Sequence, residues 1–216
     1  MLDARDWYLE KKIQKTLDSL RKKGFEVFPA DSGGEAVKQI LQLIPDGSLV
    51  GLGGSVTLRE LNLPEILREQ AYKVADHWKA RSEGASTEEV MEIRRKHINS
   101  DVFITSSNAV TVNGELVNID GGGQRVASMI FGPKRVFVVV GINKLTRDLD
   151  EAIWRVKNVA APMNAKRLNK HTPCTISGVC EDCDSDERIC RAMTILNRKP
   201  STTPVTVILV KEELGY

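Results

Sequence analysis

Four cysteines, Cys174, Cys180, Cys183 and Cys190, fall within seventeen residues, in the segment HTPCTISGVCEDCDSDERIC, and the chain has no others. Their spacing is C-x5-C-x2-C-x6-C. Thiolates crowded in this way form the ligand set of a metal centre, and a reducing compartment disfavours pairing them as disulfides. Two centres compete. Zinc takes four thiolates, usually from two C-x2-4-C pairs, and here only Cys180 and Cys183 form such a pair. Iron–sulfur clusters use single cysteines around a C-x2-C core. An iron–sulfur cluster of the 4Fe-4S type is therefore the expected cofactor, with zinc as the alternative. The segment has few apolar residues, so it needs a metal to order it. His171 reads as a surface residue, because four sulfurs already complete a shell.

A second group of residues has the types that hold an anion. Gly51, Gly53 and Gly54 precede Ser55 and Thr57 where an apolar run gives way to a helix. Glycines let the backbone approach a ligand closely, and a helix N-terminus offers free N–H groups. The pattern is neither G-x-G-x-x-G nor a P-loop. Further along, Ser107, Asn108 and Thr111 follow another apolar run. Asp120 to Arg125 forms a second glycine-rich loop that includes Gly122, and Asn143 and Lys144 follow the run Val136 to Val140. Hydroxyl, amide, glycine and cation thus recur at successive strand ends. They are expected to converge on one cleft for a small anionic ligand, with Arg155 and Arg167 near it. No hydrolytic triad is visible, and His77 and His97 have no evident partner. His97 reads as a charge partner for a helix C-terminus. Asp120 and Glu115 are the nearest candidates for acid–base work, with Lys144 or Arg125 holding the anion. Trp7, Trp78 and Trp154 read as packing residues.

The elements that must position these groups alternate. Helices are expected over Trp7 to Lys23, Glu35 to Leu43, Leu58 to Gln70, Thr87 to His97 with Thr87 as N-cap, Arg125 to about Phe131, and Leu149 to Val159. Strands are expected at Phe25 to Phe28, Ser48 to Leu52, Tyr72 to Asp76, Val102 to Thr105, Val136 to Val140 and Val205 to Val210. Asn113-Gly114 signals an antiparallel hairpin between Val110–Val112 and Leu116–Ile119. Strands alternating with helices imply an α/β fold, a mostly parallel sheet with helices on both faces. The chain reads as one domain over residues 1–216, with 160–200 as a cysteine-rich, metal-stapled appendage.

Composition narrows the setting. The 216 residues are 41% hydrophobic and 28% charged, which is globular, and the net charge of +2 gives no electrostatic case for nucleic acid. The charged N-terminus has no apolar stretch of signal-peptide type, and no run approaches a membrane span. A cytoplasmic location is expected.

The stretches GLGGSVTLRELNL and TSSNAVTVNGELVNIDGGGQRVASMIFGPKRVFVVVGINK, with RVKNVAAPMNAKRL and the cysteine segment, resemble the LUD domain (formerly DUF162) of lactate-utilisation proteins. The resemblance covers roughly residues 5 to 216. It implies the fold of ribose-5-phosphate isomerase, glucosamine-6-phosphate deaminase and coenzyme A transferases, whose members bind phosphorylated or acyl ligands at strand ends. It also implies a link to iron–sulfur-dependent oxidation of lactate or another small organic acid, beside partner proteins that carry iron–sulfur centres. The family's short members generally lack the four-cysteine segment. Three functions stay open: redox metabolism of a small acid, isomerase- or transferase-type chemistry with a structural metal, and a non-catalytic subunit of a redox complex. A homo-oligomer is compatible with each.

Overall fold

The computed structural model describes residues 3–216. Helix α1 (Ala4–Lys22) leads into strand β1 (Glu26–Ala30), α2 (Gly33–Leu43), β2 (Leu49–Leu52), α3 (Val56–Glu60), α4 (Leu63–Glu69) and β3 (Lys73–Ala75). Next come α5 (His77–Ser82), α6 (Thr87–Ile98), β4 (Val102–Thr105), β5 (Ala109–Thr111), β6 (Leu116–Asp120), α7 (Gln124–Ile130) and β7 (Arg135–Gly141). A 3-10 turn (Ile142–Lys144), β8 (Leu145–Thr146), α8 (Leu149–Arg155), α9 (Ala161–Arg167), α10 (Cys174–Ser177), β9 (Ala192–Leu196) and β10 (Val205–Val210) complete the chain.

Six strands form one sheet in the order β1-β10-β7-β4-β2-β3, and every pair in it is parallel. Strand alternation sends side chains to two cores. Val136, Val138, Val140, Phe103, Val205, Val207 and Leu209 face Ile13, Leu17 and Leu20 of α1, together with Val110 and Leu116 of β5 and β6. Phe137, Val139, Val102, Ile104, Ile208 and Val210 face Ile40 of α2, Leu58 of α3 and Leu63 and Leu67 of α4. Both faces are therefore covered by helices, as a parallel sheet requires. Phe137 is fully buried in the second core. Truncating it to alanine is expected to lower the unfolding free energy by about 3–5 kcal/mol, read as a shifted urea midpoint with an unchanged slope.

One layer was not foreseen from the sequence. β8, β5, β6 and β9 form a second, four-stranded sheet, with α8 and the turn that follows it packed on the sheet through Ala152 and Val156. β9 pairs antiparallel with β6 from Leu116↔Leu196 to Asp120↔Ala192. The stretch 160–200 is therefore not wholly an appendage: α9 continues the helical path of α8, and β9 is part of a sheet. The Asn113-Gly114 hairpin forms as expected, with Gly114 at φ 86° and its N–H donating to the Thr111 carbonyl.

Two prolines account for the departures in helix length. The single helix expected over 58–70 breaks between α3 and α4. Pro64 cannot continue a helix, because it lacks an N–H and its ring would meet the carbonyl of Glu60. Asn62 takes the left-handed conformation at the break, φ 51°. In the second case Pro162 sits at the start of α9, and the turn before it, Val156–Ala160, is a wide π-turn in which the Ala161 N–H reaches back to the Val156 carbonyl. The wider turn accommodates the proline, so the helical path runs on past Val159. At α6 the N-cap is Ser86 rather than Thr87. Its hydroxyl accepts from Glu89 N at 3.2 Å, while the Glu89 carboxylate accepts from Ser86 N at 2.8 Å, a complete capping box.

Candidate functional site

β2 lies between β3 and β4, so chain connections leave it on one side and return on the other. The β2 exit leads to α3 and α4 on one face, and the β4 exit leads to β5 and β6 on the opposite face. Such a switch opens a crevice at the carboxyl ends of the strands. The 3-10 turn after β7 drives Lys144 into it. Lys144 is only 2% exposed. Its Nζ donates to Thr57 Oγ1 at 2.7 Å and to Ser106 Oγ at 2.9 Å. Those hydroxyls donate onward to the carbonyls of Leu214, at 3.2 Å, and Ser107, at 3.3 Å, so each presents a lone pair to the amine. Burial, followed by repulsion from Arg155 and Arg125, lowers the Lys144 pKa from 10.5 to about 7, against attraction from Glu60. A charged lysine has three N–H donors. Two go to Thr57 and Ser106, which leaves the third for a ligand.

Around this amine lies a cavity of about 840 Å3, lined by Gly54, Ser55, Thr57, Ser106, Asn108 and Lys144, among others. Its rim is framed by Arg125, whose guanidinium donates to Asn118 Oδ1 at 2.7 Å, the Ile119 carbonyl at 2.7 Å, Asn108 Oδ1 at 3.1 Å and the Ser106 carbonyl at 3.3 Å. Asp120 pairs with it at 3.7 Å and accepts from Gly122 N and Val126 N. These groups hold the second glycine loop against the ends of β4 and β6. Asp120 is occupied in that frame and is not poised as a base.

A further wall comes from the cysteine segment: Asp186, Glu187, Arg188 and Ile189 all line the cavity. The Arg191 N–H donates to the Asp120 carbonyl at 3.0 Å, and Ile189 backbone packs so closely on Gly121 that a Cβ there would come within 3.0 Å of its carbonyl oxygen. The cysteines themselves are free, half-buried thiols, and none of them lines the cavity. Burial pushes the Cys190 thiol up and Arg188 pulls it down, with Cys180 and Cys183 adding to the rise. Arg188 ties the loop by donating to the carbonyls of Cys183, at 2.5 Å, and Cys190, at 3.0 Å. Among the described residues no three His, Cys, Asp or Glu side chains are grouped closely enough to hold a metal ion. Among the described residues the four thiols lie in one loop without being gathered into a cage.

His77 also lines the cavity, and its ring stands 5.4 Å from that of His97. The Nδ1 atoms of both are buried without a partner among the described residues. His97 is wholly buried, its Nε2 against the Ala75 carbonyl and its ring against Phe103, so it is no charge partner for the helix end. Burial lowers both pKa values from 6.5 to about 4. Between those values the unfolded chain binds protons that the folded chain refuses. Stability is therefore complete above about pH 6.5 and is lost as the pH falls toward 4, by on the order of 3 kcal/mol per histidine. His97→Phe is expected to flatten this acid limb in urea titrations at stepped pH.

The structure thus brings Gly54, Ser55, Thr57, Asn108, Asp120, Gly122, Arg125, Lys144 and Arg167 to one cavity. Other expected residues lie elsewhere. Gly53 packs against Thr105, where a Cβ would come within 2.5 Å of Oγ1. Asn143 ties the end of the chain, donating to the Gly215 carbonyl at 2.9 Å and accepting from Leu214 N at 3.1 Å. Glu115 and Thr111 sit in the hairpin, where Glu115 pairs with Lys23, so Glu115 is no base for this cavity. Arg155 donates to the carbonyls of Asn143 and Asn108. Trp7 and Trp154 are more than half exposed, whereas Trp78 lines the cavity beneath Arg167, whose guanidinium carbon is 4.2 Å from the ring centroid. Ser106, Arg81 and Arg94 were missed. Ser106 had a signal, being the first residue after a strand of four buried residues; the arginines had none beyond helix-surface charge.

A parallel α/β sheet with a lysine-floored polar cavity at its carboxyl strand ends defines the class. More particularly, the chain belongs to the LUD domain family, whose model matches residues 13–210. It is similar in fold to the crystal structure of a DUF162 family protein from Deinococcus radiodurans, with TM-score 0.56 and 12% identity over 94% of this chain and 98% of that one. A partial likeness to ribose 5-phosphate isomerase A from Methanocaldococcus jannaschii covers 55% of this chain and 56% of that one, at TM-score 0.34 and 18% identity. No curated protein matches the chain. Among the described residues no helix is long and apolar enough to cross a membrane.

Proposed function

We propose that the cavity binds the anion of a small organic acid, with Lys144 holding its carboxylate, and that the chain serves oxidation or related redox metabolism of lactate or a similar acid. The observation that carries this reading is a buried ammonium held by two neutral hydroxyls, with no carboxylate bonded to it among the described residues, at the floor of a cavity large enough for a metabolite. Cys174, Cys180, Cys183 and Cys190 would hold a 4Fe-4S cluster, with zinc as the alternative. An iron–sulfur cluster would supply electron transfer, whereas zinc would only staple the segment. The soft, four-thiolate donor set supports this part.

A second reading draws on the same lysine. An amine that titrates near neutrality is a competent base, so an isomerase- or transferase-type enzyme on an acyl or phosphorylated substrate would use Lys144 to take a proton beside the carbonyl. Asp120 and Glu115 are committed elsewhere. Calorimetric titration of the anaerobically purified protein with lactate, pyruvate and glycolate tests the first reading. Binding is expected to weaken up to about tenfold per pH unit above 7, as Lys144 loses its proton. Affinity independent of pH across that range would remove Lys144 from the site. Exchange of substrate α-hydrogen for deuterium by a metal-free sample would favour the second reading.

A further inference from the structure

Most of the cations that line the cavity have local partners. Arg125 pairs with Asp120, Lys170 with Glu187 and Arg188 with Asp182, while Arg167 donates to Asn164 and Tyr216. Two arginines differ. The side chain of Arg81, on α5, has no hydrogen-bond or ion-pair partner among the described residues, and the residue is exposed at the cavity. Arg94, on α6, has its Nε buried without a partner among the described residues, and its one side-chain hydrogen bond among them is long, 3.8 Å from Nη1 to the Met91 sulfur. Burial and the neighbouring Arg81 charge both work against its protonated form, with only Asp120 opposing. Asp120 is already engaged with Arg125 and two backbone amides.

Packed helices α5 and α6 thus bring two arginines to the wall of the cavity that also holds Lys144, one of them with a buried donor unsatisfied. An unpaired buried donor costs free energy that a ligand acceptor would restore. Two guanidiniums together match the geometry of phosphate, which accepts from several N–H groups at once. The cavity is far larger than a three-carbon acid needs. The ring of Trp78 is not open to stack a nucleobase, because it already carries Arg167 at 4.2 Å and Arg59 at 5.1 Å.

We infer that Arg81 and Arg94 form a second anion subsite, and that the substrate carries two anionic groups, a carboxylate at Lys144 and a phosphate at the arginine pair. The inference rests on the reading of the cavity as an organic-acid site and adds the substrate's second charge. It would take a phosphorylated organic acid.

The test is calorimetric titration of the whole protein with a ladder of ω-phosphonocarboxylates of two to six carbons, each set against its ω-hydroxycarboxylate counterpart. At least one rung is expected to bind about tenfold or more tightly than its hydroxyl counterpart. Arg81→Ala and Arg94→Gln should each abolish that gain while leaving the hydroxycarboxylate affinity unchanged. Arg81 is exposed, so its variant should fold; far-ultraviolet circular dichroism checks both. If the hydroxycarboxylates bind through Lys144 but no phosphonate gains, the second subsite is wrong and the carboxylate site stands. If a phosphonate gains and both arginine variants retain the gain, the subsite lies elsewhere and this assignment is overturned. If neither series binds, both readings fall.

Discussion

Replacing Lys144 with methionine is expected to stabilise the ligand-free protein while abolishing its affinity for organic acid anions. Burial is the larger influence on this lysine and lowers its pKa from 10.5 to about 7. The sign follows from proton linkage. Between about 7 and 10.5 the unfolded chain holds a proton on this lysine that the folded chain has released. Wild-type stability therefore rises with pH across that window, and at neutral and lower pH the buried ammonium is a net cost. Methionine fills similar volume without a charge. The gain at pH 7 should be on the order of 3 kcal/mol, reduced by the two hydrogen bonds that Thr57 and Ser106 lose. It should shrink to nothing above pH 10.5, where the wild-type lysine is neutral in both states. Urea midpoints of the two proteins at stepped pH read this directly. A methionine variant less stable than wild type at neutral pH would show that the bonds to Thr57 and Ser106 outweigh desolvation. Together with loss of calorimetric binding, a stability gain would mark Lys144 as kept for function at the expense of the fold.

Replacing Cys183 with serine, or stripping metal with a chelator, is expected to loosen the cysteine segment and leave the rest of the fold intact. The buried apolar core contains no residue between Ala165 and Leu196, so the global unfolding transition should move little. The segment is held instead by polar ties: Arg188 to the carbonyls of Cys183 and Cys190, Glu187 to Lys170 and His171, and Cys180 N to Asn158. A thiolate metal centre would add the strongest of these ties. Limited proteolysis should therefore cut within residues 174–190 of the variant or stripped protein while the remainder resists. Because Asp186 to Ile189 line the cavity, ligand affinity should fall in the same samples. Iron and acid-labile sulfide in anaerobically purified wild type, absent from the variant, would identify the cluster; one bound zinc would assign the segment a structural part. Neither metal in the wild type would remove the centre from the proposal.

Much of the α/β fold was legible in the sequence because its signals are local. The valine run at 136–140 is too apolar to be anything but a strand covered on both faces, and Ile13, Leu17 and Leu20 keep helical spacing against it. Asn113-Gly114 marks its own turn. The glycine and hydroxyl residues at 54–57, 107–108 and 120–125 showed where strands end, and a parallel sheet gathers such ends along one edge. What was hidden depends on partners distant in sequence. β8 has only two residues, and β9 lies in a stretch whose composition reads as a loop; each is a strand only because β5 and β6 offer it an edge. His97 has the sequence context of an exposed helix end, and only its packing on Phe103 and Ala75 makes it neutral and buried.

The sequence by itself determined the parallel sheet, the hairpin, the family and a single cluster of thiols, because strand burial, turn chemistry and cysteine spacing are written in neighbouring residues. Only the tertiary structure decided which polar residues meet. It took Lys144 from a loop after β7 and surrounded it with hydroxyls that follow β2 and β4. It spent Asp120 and Arg125 on a frame, sent Glu115 to the hairpin, and laid the cysteine segment along the cavity as a wall. The physical reason is that a charge's role depends on its desolvation and its partners, and both are properties of packing across the sheet rather than of position along the chain.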